Sequence, residues 1–312
     1  MRAVVYDRHG GADVLEYKDV PDPEPGPGEV LVKVEAVGVN FRDVYEREGR
    51  SYALEPPAIL GVEGAGTVVE TGERVAWIGV PGSYAELVAA PREQLVPVPD
   101  GVSSEEAAGA LLQGMTAHYL SHDSYPIQEG DWVLVHAGAG GVGLLLIQMA
   151  RLRDGRVIAT TSTDEKGALA SDAGAHEVIG YENFAERARE ITGGVGMAAI
   201  YDGVGKTTFL EGFDALAPTG RMILYGAASG PPDPLDVRVL QSKGSLYVQR
   251  PTLQTYTRSS ELLHDRAAAL FELMSIGAVQ VRIGAKYPLS HARQAMEDLE
   301  ARRTTGKLLL IP

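Results

Sequence analysis

The chain has 312 residues, 45% of them hydrophobic and 22% charged, with no cysteine and a formal net charge of −14. That length suits two domains with sizeable cores. The lack of cysteine excludes disulfides, a thiolate nucleophile and every cysteine-bearing zinc site, and an acidic surface without a basic stripe argues against nucleic acid as a partner. No apolar run approaches the ~18–20 residues that cross a bilayer, and the opening MRAVVYDRHGG lacks the order of a signal peptide. A cytoplasmic protein without membrane contact is expected. The one dense basic stretch, ARRTTGK at 301–307, reads as a solvated helix end.

Residues 1–100 read as short strands broken by Gly and Pro: RAVVYD, the turn DPEPGPGE, then VLVKVEAVGV alternating with period two. Ser103 and Glu106 form a capping box ahead of AAGALLQGMTAHYL, whose apolar spacing is helical. From 131 to 250 the strands WVLVH, RVIAT, HEVIG, AAIYD, RMILYG and SLYVQ are separated mostly by helical stretches such as DEKGALASDAGA and TTFLEGFDALA. Six strands with crossovers imply an α/β, doubly wound parallel sheet. Beyond residue 258, SSELLHDRAAALFELMSIGA and SHARQAMEDLEARR are amphipathic helices, and KLLLI is a closing strand for which the N-terminal β region is the natural host. SLYVQ at 245–249 is apolar at alternate positions and falls at the expected sheet edge, so it should pair a homodimer.

The stretch HAGAGGVG fits two overlapping nucleotide-binding templates, one through Gly138, Gly140 and Gly143, the other through Ala137, Gly140 and Gly143. A buried-type strand precedes it and a helix follows, which directs orphan N–H groups and the positive end of the helix dipole at a pyrophosphate. About twenty residues on, an NAD site places a carboxylate for the ribose 2′-hydroxyl. Here stand Thr160, Thr161 and Ser162, with Lys166 one helical turn later, so NADPH is favoured over NADH; Asp164 keeps the NAD alternative open. His118 and His122 are spaced i, i+4 but lack a third ligand, and no G-x-S-x-G nucleophile elbow is present.

Several blocks in order, HGGADVLEY, GVNFRDVYEREG, LGVEGAGTV, LLQGMTAHYL, HAGAGGVG, ITGGVG, YDGVG, KGSLYVQRPTL and GKLLLIP, resemble the zeta-crystallin-like NADPH:quinone oxidoreductases, zinc-free members of the medium-chain dehydrogenase/reductase superfamily. The resemblance runs nearly end to end. It implies a GroES-like β domain from both chain ends (1–117 and 253–312), an inserted Rossmann domain (118–252), and NADPH in the cleft between them. It further implies that Ser162, Lys166 and Tyr181 surround the 2′-phosphate, that Ala137, Gly140, Val142 and Gly143 make the pyrophosphate turn, and that Asn40, Thr116 and Val204 line the nicotinamide end. Tyr45 and Tyr52 would line the substrate pocket, with Asn40 beside them in catalysis, and Arg250 would lie near the cofactor. Two departures stand out: a trimmed loop between Gly72 and Glu73, and Ala227 where a polar residue often follows Gly226.

Zinc-dependent relatives carry Cys where Asn40 stands and His where Val62 stands, so no metal is expected. Without a Lewis acid the feasible reaction is hydride delivery to an acceptor that is already electrophilic, a quinone or an enone. Tyr45 or Tyr52 is the candidate proton donor, with solvent as the alternative and a core-aromatic role as the bland one. The rival functions are an alkenal or enone double-bond reductase and a non-catalytic NADPH-binding redox sensor or structural protein.

Overall fold

Along the strand Glu29–Val39, Val32, Val34 and Ala36 are buried while Lys33 and Glu35 face solvent, the period-two pattern of a half-buried strand. In the computed structural model, which describes residues 1–312, this strand is the spine of a seven-stranded sheet. Its neighbours run in the order Ile283–Pro288, Lys307–Ile311, Glu29–Val39, Glu63–Val68, Arg74–Ile78 and Val96–Pro97, and Leu87–Pro91 also pairs Glu29–Val39. Leu308 faces Val39 in an antiparallel register, so the last strand of the chain joins the N-terminal β region. A second, three-stranded sheet centres on Arg2–Tyr6. Trp77, Tyr84, Met296, Leu308 and Leu310 fill the core of this unit, which comprises residues 1–113, 257–277 and 281–312. The trimmed loop is a closed turn: the Val68 N–H donates to the Glu73 carbonyl at 2.9 Å and the Gly72 N–H to the Val68 carbonyl at 2.8 Å.

Residues 114–256 and 278–280 form the other unit. The chain passes into it at Gly114, inside the helix Ser104–Tyr119, and leaves it after Tyr256. Six parallel strands lie in the order Glu177–Ile179, Arg156–Thr160, Trp132–Val135, Met197–Asp202, Leu216–Leu224 and Tyr247–Gln249, which in chain order is 3-2-1-4-5-6. In the four central strands the runs of Val, Ile, Leu and Ala are buried on both faces, as crossover helices require, while the edge strands Glu177–Ile179 and Tyr247–Gln249 stay partly exposed. Leu134, Ile158, Phe184, Phe213 and Met222 pack one side of the sheet.

Two local features depart from the sequence expectation. ARRTTGK is not a single solvated end: Arg302 and Arg303 are exposed, but Lys307 opens the last strand and is buried at 1% exposure, because a partner carboxylate waits there. The helix Ser104–Tyr119 does not stop at its last apolar residue but widens into a π-turn over Leu120–Ser124, where the His118 and His122 rings stack 4.1 Å apart. No group of three His, Cys, Asp or Glu residues is placed to hold a metal ion, and no helix is long and apolar enough to cross a membrane.

Candidate active site

In a parallel sheet all carboxyl ends of the strands point the same way, and loops gathered at that edge bind ligands at the point where strand order reverses. The turn 136–143 follows the first strand, Ser162 and Lys166 the second, Tyr181 the third, Val204 the fourth, Ala227 the fifth and Arg250 the sixth, so all of these lie along one edge of the doubly wound unit. Gly140 caps the helix Gly141–Leu152 with extended backbone and no side-chain hydrogen bond, and no acidic residue stands in the first turn. Those N–H groups are therefore left for an anion. At Gly143 a Cβ would collide with the Ala137 carbonyl, and Ala137 itself holds φ at 54°, so the turn exists only because the backbone passes this close. The residues fit a dinucleotide pyrophosphate.

At the end of the second strand two of the three hydroxyls are engaged inside the protein. Thr160 is fully buried with its hydroxyl 2.9 Å from His136 Nδ1, and Thr161 is buried with its hydroxyl on the Thr163 carbonyl at 3.4 Å. Only Ser162 of the three hydroxyls is exposed to a ligand, because the other two close the strand end. Lys166 is half-buried in the first turn of the helix Asp164–Asp172, whose start is capped by Thr163 accepting from the Lys166 N–H at 3.3 Å. The Tyr181 hydroxyl accepts from the Ala137 N–H at 3.1 Å, which ties it to the glycine turn. Arg250 is exposed and donates to the Pro251 carbonyl at 3.1 Å. Thr116 and Val204 are buried, and Val142 is half-buried.

Sequence reasoning missed the residue that shapes the loop around Val204. The buried Asp202 accepts from the Val204 and Gly205 N–H groups at 2.7 and 3.0 Å and from the Thr208 hydroxyl at 2.8 Å. Burial raises its pKa, and these donors pull it back. An Asp directly before Gly at the end of a strand is an Asx-turn signal that marks such a carboxylate as structural. His136, buried just ahead of the glycine turn, has its pKa pushed down to about 3 by desolvation and is neutral.

In the β unit, Asn40 caps the helix Phe41–Arg47 and is 4% exposed. Its Nδ2 donates to the Gly38 carbonyl at 3.1 Å and to Glu63 Oε2 at 2.8 Å, so both amide hydrogens are engaged inside the protein. Val62, at the other ligand position of zinc-dependent relatives, is buried and apolar. Tyr45 is half-buried with the Arg50 guanidinium 5.0 Å from its ring centroid. Tyr52 is 44% exposed, holds φ at 61° and has the Arg42 guanidinium 4.7 Å above its ring, so it is not a core aromatic. On the same helix Asp43 and Glu46 are buried carboxyls: desolvation pushes Asp43 up to about 6, and desolvation plus the neighbouring Asp43 charge pushes Glu46 up to about 7.

A β unit assembled from both ends of the chain, with an inserted doubly wound unit that carries a glycine turn after its first strand, defines a medium-chain dehydrogenase/reductase. Residues 26–80 match the alcohol dehydrogenase GroES-like domain family and residues 141–275 the zinc-binding dehydrogenase family. A quinone oxidoreductase of Pseudomonas aeruginosa is 41% identical over 100% of this chain and 99% of its own length. A 2-haloacrylate reductase of a Burkholderia species is 37% identical over 100% of this chain and 99% of its own. Among solved structures, the mycobacterial Rv1454c complexed with NADPH superposes with a TM-score of 0.97 at 47% identity, covering 100% of both chains. The chain belongs to the zeta-crystallin-like quinone oxidoreductase family.

Proposed function

We propose that the protein is an NADPH:quinone oxidoreductase that reduces quinones or quinone-like enones by direct hydride transfer without a metal ion. The observation that carries the reading is the state of the two positions where zinc-dependent relatives place ligands: Val62 is apolar and buried, and the Asn40 amide is tied to Glu63 and Lys307. NADPH supplies the hydride from its nicotinamide ring when bound. Ser162 and Lys166 take the 2′-phosphate, Ala137, Gly140, Val142 and Gly143 cradle the pyrophosphate, and Tyr181 steadies that turn through the Ala137 N–H beside the phosphate. Thr116 and Val204 shape the nicotinamide end in the doubly wound unit, and Asn40 in the β unit acts by shape and fixed orientation because its amide hydrogens are engaged. Arg250 lies along the same strand-end edge and takes the outer face of the cofactor.

Positioning and exclusion of water supply most of the rate, since a quinone is already electrophilic. After the hydride arrives, one proton completes the hydroquinone; Tyr52, exposed and held outward, or Tyr45 donates it, and solvent restores it. The 2-haloacrylate reductase relative favours a second reading, reduction of an activated carbon–carbon double bond by the same transfer. The protein is a homodimer through the edge strand Tyr247–Gln249, where Tyr247 is 56% and Val248 39% exposed.

Steady oxidation of NADPH with 1,4-benzoquinone and 9,10-phenanthrenequinone, compared with a simple enal, tests the reading. Hydroquinone as product supports it, a saturated aldehyde at higher kcat/KM supports the second reading, and no turnover with any acceptor leaves a cofactor-binding protein without catalysis.

A further inference from the structure

Lys307 is wholly buried, and a buried ammonium is tolerated only when paired and hydrogen-bonded. Its Nζ donates to Glu63 Oε2 at 2.6 Å and to Asn40 Oδ1 at 2.8 Å. Glu63, equally buried, takes the Asn40 Nδ2 hydrogen on the same oxygen and accepts from the Leu112 N–H on its other oxygen at 2.7 Å. The three residues stand at one end of three adjacent strands: Asn40 just after Glu29–Val39, Glu63 at the start of Glu63–Val68, and Lys307 at the start of Lys307–Ile311. At Gly38 any Cβ would meet the Glu63 carboxylate and the Ala108 carbonyl, so the backbone is kept bare to let this cluster close.

Stability alone is a poor account of such a cluster, because apolar residues of similar volume often replace a buried ion pair without loss. Orientation is a better one. An ammonium faces only the oxygen of an amide and a carboxylate only its NH2 group, so Lys307 and Glu63 together leave Asn40 a single flip state. Asn40 in turn begins the helix Phe41–Arg47 that presents Tyr45, and its own N–H is held by Asp43 at 2.9 Å.

We propose that Lys307 and Glu63 are positioning residues for hydride transfer, acting by locking the Asn40 amide and the head of the helix that carries Tyr45. The inference rests on the function proposed above. The double variant Glu63→Gln/Lys307→Met removes the lock without leaving an unpaired buried charge. It should melt within a few degrees of the parent and bind 2′,5′-ADP, a ligand for the adenosine end alone, as the parent does. With 1,4-benzoquinone its kcat should fall about tenfold or more while the quinone KM changes less, and the emission of bound NADPH, which reports on the nicotinamide surroundings, should differ from the parent's. Lys307→Arg, which retains charge and donors, should recover part of the kcat. Parental kcat and parental NADPH emission in the double variant would overturn the proposal. Should the double variant not fold, Glu63→Asp retains the charge but draws the carboxylate back from both Asn40 and Lys307, and the same two readouts decide. If the parent itself turns over no quinone, the functional reading fails, while the emission comparison still judges the lock.

Discussion

Replacing Lys166 by Ala tests the proposal that its charge separates NADPH from NADH. Lys166 is half-buried on the rim of the strand-end edge, and the helix start is held by the Thr163 side chain on its backbone N–H, so the substitution leaves the fold in place. A 2′-phosphate carries nearly two negative charges; at ~4 Å from an ammonium in water the attraction is about 2 kcal/mol before screening. Asp164 and Glu165, exposed in the same turn, oppose part of it, which leaves on the order of 1–1.5 kcal/mol. Lys166→Ala should therefore weaken NADPH binding about tenfold and leave NADH nearly unchanged. Salt should also matter less for NADPH in the variant. The assay is a pair of fluorescence titrations, NADPH and NADH, at low and high salt. Equal losses for both cofactors would mean that Lys166 supports the adenine or the fold, and an unchanged NADPH affinity would remove it from the site.

Gly143→Ala forces a Cβ onto the Ala137 carbonyl, so affinity for NADPH and NADH should drop together by about tenfold or more; a loss confined to one cofactor would contradict the pyrophosphate role. Asp43 and Glu46 have pKa values raised by burial to about 6 and about 7, so their protonated forms are favoured in the fold, and that contribution is complete below the usual carboxylate range and lost as pH rises through 6 to 7. Between about pH 5 and pH 8 the parent should lose on the order of 1–2 kcal/mol more stability than Glu46→Gln, measured by urea unfolding at each pH; parallel curves would refute the assignment. Val248→Lys places a charge on the exposed sheet edge and should shift sedimentation from twice the mass of one chain to a single chain, whereas a parent that sediments as one chain would remove the edge from consideration.

The doubly wound unit was legible because its four central strands are apolar runs, and a one-residue error in such a run changes nothing about its burial. KLLLI was placed in the β region for a similar reason: a buried strand must find a sheet. The helix Phe41–Arg47 was harder to read, because its cap is Asn40 with Asp43 and not Ser or Thr with Glu, and because buried Asp43, Glu46 and Arg47 break the expected apolar stripe. Lys307 was misread for a physical reason. A lysine in a basic stretch is usually solvated, and nothing local reveals a carboxylate 244 residues away. The same holds for the Tyr181 hydroxyl on the Ala137 N–H, a contact across 44 residues made between loops that follow the first and third strands of the sheet.

The proposed reaction is hydride transfer from NADPH to a quinone with no metal ion taking part. It is tested most directly by the rate of 1,4-benzoquinone reduction in a strong chelator, with NADPH carrying either hydrogen or deuterium at the transferred position of the nicotinamide. Turnover should be the same with and without chelator and slower with the deuterated cofactor. Activity that disappears on chelation and returns with zinc, or that never appears with NADPH, would contradict it.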